Sequence, residues 1–130
     1  MKNVLTEVMQ LFPSTYIHVG GDEVPKDDWH NSSTAQKIMK VHGLKTEEQL
    51  QSYFMSQIDA FLSAHGRKMI GWDEILEGGL SANATVMSWR GEEGGIAASK
   101  LNHDCVMTPG DYCYFDHCQG NEQLESLCIG

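Results

Sequence analysis

Apolar positions along this chain switch between helical and strand spacing, and the order of the switches predicts alternating helices and strands. Val4, Leu5, Val8, Met9 and Phe12 fall on one helical face over residues 2–11. Pro13 and Ser14 end that pattern, and a β-branched run, Tyr16 to Val19, reads as a strand. Val24–Ser33 reads as a polar loop around Trp29, followed by a short helix over Thr34–His42 that Gly43 ends. Thr46 with Gln49 three residues on resembles a capping box opening a longer helix. The apolar face of that helix is expected at Leu50, Phe54, Ile58, Phe61 and Leu62, and Gly66 ends it. A strand at Lys68–Trp72, a Gly-Gly loop at 78–79 and a strand at Thr85–Trp89 follow. A small-residue helix from Glu93 to Asn102 then leads to a strand at Cys105–Thr108. Strands separated by helical or looped crossovers imply parallel pairing and an α/β fold.

Within that frame the most informative stretch is His18-Val19-Gly20-Gly21-Asp22-Glu23. A Gly-Gly pair lets a backbone turn sharply or approach a ligand closely. It releases two adjacent acids at a strand end, where α/β proteins place their chemistry. A sheltered carboxylate pair can divide its roles, one staying an anion while the other holds a proton to donate. The bland alternative is a Gly-Gly turn with two solvated acids. His18, Gly20 and Asp22 share a face by strand alternation. A lone strand histidine is more often a hydrogen-bonded core group than a catalyst, so His18 reads as bracing the pair. Trp72 and Trp89 each close an apolar strand, as core residues or as platforms for the apolar faces of sugar rings. Tyr114 and Asp116, two apart, face the same way on an extended segment. Asp73 and Glu74 form a rival acidic pair without the Gly-Gly lead-in, and Arg90 reads as the partner of a nearby acid.

Four ordered motifs narrow these alternatives. The segment from Val4 to Trp29, with its L-F-P-S-T-Y-I-H-V-G-G-D-E-V-P-K core, closely resembles the β-N-acetylhexosaminidases of glycoside hydrolase family 20. G-W-D-E-I at 71–75, S-W-R-G at 88–91 and Y-F-D at 114–116 resemble later strand ends of that family, in order. The resemblance runs from about Val4 to about Gly120. It implies strands four to seven of a (β/α)8 TIM barrel, a fold that needs roughly 250 residues when complete. The 130 residues are therefore expected to form part of one catalytic domain, with no second domain.

The same resemblance implies the chemistry. Glu23 would be the general acid and Asp22 would orient the substrate's 2-acetamido group, whose own carbonyl attacks the anomeric carbon. The family is a substrate-assisted exception among retaining glycosidases. Trp72 and Trp89 would wall the acetamido pocket, Tyr114 would donate to the acetamido oxygen, and Asp116 would accept from sugar hydroxyls. Asp73 and Glu74 become loop or supporting residues. The implied reaction is release of terminal GlcNAc or GalNAc from glycans or chitin-like oligomers. Its rivals are a disaccharide-releasing relative and a non-catalytic, carbohydrate-binding or structural half-barrel. The family's sugar-binding arginine, histidine and tryptophan from strands one, three and eight have no counterpart positions here.

Charge and composition narrow the partners further. Nine basic against eighteen acidic residues leave a net charge of −9, which argues against nucleic acid or an anionic membrane surface. No apolar run is long enough to span a bilayer. The N-terminus lacks the apolar stretch of a signal peptide, which alone would point to the cytoplasm; the resemblance implies an exported or lysosomal parent. Cys105, Cys113, Cys118 and Cys128 do not form a paired zinc framework, even with His103 and His117 nearby, and a Cys113–Cys118 disulfide stays open. Asn31-Ser32-Ser33 and Asn83-Ala84-Thr85 fit glycosylation sequons that matter only in a eukaryotic secretory setting. With no nucleotide loop and no metal pattern, no cofactor is expected, and the oligomeric state is not legible.

Overall fold

The computed structural model describes residues 1–116. Helix α1 spans Lys2–Leu11 and strand β1 Tyr16–His18; helices α2, Asp27–Asn31, and α3, Ser33–His42, follow. The long α4, Glu47–Ala64, leads into β2, Lys68–Trp72, and a one-turn 3-10 helix at Asp73–Leu76. Strand β3 spans Thr85–Ser88, α5 Glu93–Lys100, β4 Cys105–Met107 and α6 Gly110–Cys113. The four strands make one sheet in sequence order, every neighbouring pair parallel. Registers such as Ile17 opposite Met69, and Gly71 opposite Val86, bring all four carboxyl ends to one side.

Local chemistry explains the helix boundaries. The Ser32 hydroxyl accepts from the Ala35 N–H and the Thr46 hydroxyl from the Gln49 N–H, each satisfying an orphan donor of a first turn. Gln49 answers with its own side chain, accepting from the Lys45 N–H one residue before the expected reciprocal donor. Gly43 closes α3 in a left-handed conformation. The expected loop at 24–33 is corrected to include α2. Asp27 and Asp28 favour its first turn electrostatically, and Trp29 packs against Ala35, Met39 and Leu50.

The main core lies between the sheet and helices α1, α4 and α5. It gathers Leu5, Ile17, Met55, Ile58, Leu62, Met69, Ile75, Ala84, Val86 and Ala98. The expected face of α4 is also corrected. Phe54 is 43% exposed, while the buried positions are Leu50, Gln51, Met55, Ile58, Asp59 and Leu62. Two polar residues thus take places on the apolar face, and tertiary partners satisfy both. Asp59 accepts from the Ser81 hydroxyl and the Asn83 N–H, fastening the loop between β2 and β3 to the helix. Arg67 plays a similar part on the other side, donating to the carbonyls of Pro13, Ser14 and Met9.

Leu62 is fully buried, so Leu62→Ala is expected to cost about 2–5 kcal/mol through lost transfer energy and a residual cavity. Phe54→Ala is expected to stay within about 1 kcal/mol. Urea unfolding of both variants, read as midpoint shifts at constant slope, checks the corrected helix face.

Candidate active site

The site is built at the carboxyl ends of the four strands. Hydrogen bonding between β1 and β2 continues past the last paired residues, from the Val19 N–H to the Ile70 carbonyl and from the Trp72 N–H to the Gly20 carbonyl. Gly71 permits this approach, since a Cβ there would lie 2.9 Å from the Gly20 oxygen. The chain then turns through Gly20 and Gly21 with φ of 74° and 107°, conformations that glycine adopts without strain. At Gly21 a Cβ would stand 2.7 Å from Ile75 Cγ2, so the turn is pressed against the core as well as left-handed. Glu23 follows with φ of 44°, a left-handed backbone uncommon for a non-glycine residue.

Asp22 and Glu23 are both exposed. The shelter expected of a working acidic pair is not supplied among the described residues. The loop that carries them is nevertheless fixed from below by Gln51, which is 2% exposed on α4. Its amide nitrogen donates to the Gly21 carbonyl at 2.7 Å, and its oxygen accepts from the Lys26 ammonium. Lys26 also donates to the Val24 carbonyl and lies 5.7 Å from the Trp29 ring centroid. Sequence reasoning passed over Gln51. The signal was available, because 51, 55, 58 and 62 keep helical spacing and a polar residue among them needs a buried partner.

His18 is corrected from a core group to an exposed residue on the sheet, and its ring contacts the Gly-Gly turn. Its Nδ1 accepts from the Gly20 N–H at 3.1 Å, and its ring meets Trp72 edge-on with centroids 4.7 Å apart. Partial burial lowers the imidazole pKa below 6.5, and the Asp22 charge works in the opposite direction. Asp22 Oδ1 lies over Gly20, where a Cβ would be 3.4 Å away.

A second group forms at the ends of β3 and β4. Trp89 and Tyr114 stand nearly parallel, with an interplanar angle of 16° and centroids 6.4 Å apart. They share a cleft of about 330 Å³ with Asp116, Arg90, Gly91, Pro109, Gly110 and Asp111. Its floor is held by the Gly110 N–H donating to the Trp89 carbonyl at 2.9 Å. Trp89, Tyr114 and Asp116 are thus brought together, and His18, Trp72 and Asp22 form a neighbouring cluster one strand pair away.

Asp73 and Glu74 are buried and hydrogen-bonded to the segment that follows β3. Asp73, 2% exposed, accepts from the backbone N–H groups of Trp89 and Arg90 at 3.0 and 3.2 Å. Arg90 Nε donates to its other oxygen at 2.5 Å, and Arg90 Nη1 to Glu77 at 2.9 Å, so the arginine does pair with nearby acids. Burial works to lower the guanidinium pKa, but these hydrogen bonds and the charges of Asp73 and Glu74 outweigh it and raise the value further. Cys105 and Cys113 are free and exposed; the expectations for His117, Cys118 and Cys128 lie outside the described residues. Among the described residues no cluster of three or more acidic, histidine or cysteine side chains is placed to hold a metal, and no helix is long and apolar enough to cross a membrane.

Acids and aromatic residues at the carboxyl ends of consecutive parallel strands define the functional end of an α/β barrel. The family model described as glycosyl hydrolase family 20, catalytic domain, matches residues 1–128. The chain belongs to that family. It is 56% identical over 131 residues to a beta-hexosaminidase of Porphyromonas gingivalis, covering 100% of this chain and 17% of that protein. A beta-hexosaminidase of Vibrio furnissii is 34% identical over 117 residues, covering 89% of this chain and 19% of its own length. Among solved structures, β-N-acetylhexosaminidase from Bacteroides fragilis superposes with a TM-score of 0.76 at 31% identity, over 85% of this chain and 24% of that one. An exo β-N-acetylglucosaminidase from Vibrio harveyi, in complex with N-acetylglucosamine, gives 0.77 at 31% identity, over 85% and 18%. The chain thus spans about a fifth of the curated relatives it matches, and its four-stranded sheet is a partial (β/α)8 barrel.

His18 gives a pH prediction. A histidine with a folded pKa below its unfolded value contributes stability that is present above pH 6.5 and lost as pH falls through the lowered folded value. The His18 ring resonance should titrate with a midpoint below 6.5. Asp22→Asn should move that midpoint further down, because the raising charge is gone. An upward movement would show that Asp22 does not face the imidazole.

Proposed function

We propose that this chain contributes the acidic pair and the acetamido pocket of a β-N-acetylhexosaminidase, acting on terminal non-reducing N-acetyl-β-D-hexosamine units. The observation that carries the reading is the placement of Asp22 and Glu23 on the Gly-Gly turn, beside two aromatic strand ends on the same side of the sheet. Family membership and the relatives' names support it. In this reading Glu23 delivers a proton to the departing glycosidic oxygen as the bond to the anomeric carbon breaks. The substrate's acetamido carbonyl oxygen forms the new bond to that carbon, giving an oxazolinium-type intermediate. Asp22 stabilises the positive charge that develops on the acetamido nitrogen. Water then opens the intermediate, returning its proton to Glu23, and configuration is retained.

The aromatic residues supply shape and apolar surface. Trp72 and Trp89 present indole faces to C–H groups, Tyr114 can donate a hydrogen bond, and Asp116 at the cleft edge accepts from hydroxyls. The natural substrate in this reading is a glycan or chitin-like oligosaccharide, and the parent protein is exported or lysosomal. The exposure of Asp22 and Glu23 favours one alternative, a carbohydrate-binding half-barrel that needs further structure to become catalytic.

Hydrolysis of an aryl N-acetyl-β-glucosaminide, beside the matching aryl β-glucoside, separates these readings. In the full-length parent, turnover of the acetamido substrate alone is expected. Glu23→Gln should lower kcat for poor leaving groups by roughly 10²–10⁴-fold, the range of general acid–base catalysis. Asp22→Asn should lower it for every acetamido substrate. Turnover of both glycosides would remove acetamido participation, and unchanged rates in Glu23→Gln would remove its role as the acid.

A further inference from the structure

Among the described residues, Trp89 is the one cleft aromatic whose polar edge is already engaged by a charged side chain of the protein. Its indole Nε1–H donates to the Glu74 carboxylate, at 3.0 Å to Oε2 and 3.2 Å to Oε1. Glu74 is 8% exposed, and it reaches the indole from the one-turn helix that follows β2. Arg90 Nε lies 3.6 Å from the same carboxylate, so the acid is not left as an isolated charge. The backbone of Trp89 is held independently by Asp73, through its N–H, and by Gly110 N–H at its carbonyl. Main chain and side chain of this tryptophan are therefore fixed by two adjacent acids with separate tasks.

We propose that Glu74 is a positioning residue for the cleft. By occupying the indole N–H of Trp89 it fixes the ring plane, so that a ligand meets the ring face and not its donor. The proposal rests on the carbohydrate reading of the cleft for its ligand, and on the hydrogen bond alone for the positioning. The geometry favours it in three ways. A hydrogen bond to a charged acceptor in a water-poor site is stronger than one between neutral groups. The near-parallel arrangement of Trp89 and Tyr114 requires a defined rotation of the indole about its side-chain bonds. And Glu74, being nearly buried, gains little from any alternative partner in water.

This differs from a packing role, which any side chain of similar volume would fulfil. Carboxamide replacement keeps the volume and one acceptor oxygen but removes the charge. The indole N–H should report the change directly.

The experiment is a ¹H–¹⁵N correlation spectrum of the full chain, in which the Trp89 indole signal is identified by its loss in Trp89→Phe. In Glu74→Gln that signal should move upfield and exchange with water faster. In Glu74→Ala it should move further, with exchange accelerated by roughly tenfold, as expected for loss of a charge-assisted hydrogen bond. The indole signals of Trp29 and Trp72 act as the control for an intact fold. An unmoved Trp89 signal in Glu74→Gln overturns the proposal, and this variant decides the matter even where Glu74→Ala fails to fold. Titration with N-acetylglucosamine supplies the second readout. Ring C–H signals of Trp89 should shift while its N–H signal stays in place, and the reverse pattern overturns the proposal. Silence of every cleft signal would count against the carbohydrate reading, with the positioning role still decided by the Glu74→Gln displacement.

Discussion

A carboxylate taken out of water must be repaid by partners, and of the buried acids Asp59, Asp73 and Glu74 it is Asp73 that ties the strand ends together. It sits at the end of β2 with 2% of its surface exposed, and it gathers the two backbone N–H groups that follow β3, the Arg90 guanidinium and the Ser88 hydroxyl. Each hydrogen bond to a charged acceptor is worth about 1.5–3 kcal/mol in such a setting, and none can be given up cheaply. The ends of two strands are thereby locked to one another. Gly94 shows how closely this is packed, since a Cβ there would lie 2.6 Å from the Asp73 Cβ and 2.7 Å from the Ser88 oxygen. Trp89, Arg90 and the cleft beyond them take their positions from this knot.

The acidic turn after β1 is secured by other means. Gln51 grips it from α4, Gly71 lets the β1 backbone come close, and Ile75 closes against Gly21. Because Ile75 belongs to the same one-turn helix as Asp73 and Glu74, one short segment supports both halves of the site. This common support is the physical link between the acid turn and the aromatic cleft. It also explains why the segment contains two nearly buried acids and a buried isoleucine directly after a strand end.

The sheet itself is open. Among the described residues β1 and β4 each pair on one side only, and the residues of β4 are all exposed. Unpaired strand edges are templates for further pairing. That opening agrees with a chain that spans about a fifth of its relatives, and with acids that stand exposed at the mouth of a barrel represented here by four strands.

Much of this was legible in the chain. Helical spacing located the major helices, because burial of one face imposes that period, and short β-branched or apolar runs between turn residues located the strands seen among the described residues. The Gly-Gly turn, and the position of the tryptophans at strand ends, were legible because glycine marks a turn and an apolar run ends where the strand does. What the sequence left open was rotation and partnership. The face of α4 turned so that Gln51 and Asp59 are inside and Phe54 outside, since those polar groups find hydrogen-bond partners thirty and twenty-odd residues away. His18 was left on an exposed face, and α2 formed where Trp29 found a separate apolar cluster. Local sequence fixes which residues can hydrogen-bond or pack; only the folded arrangement brings distant donors and acceptors within reach, and so decides which of them meet.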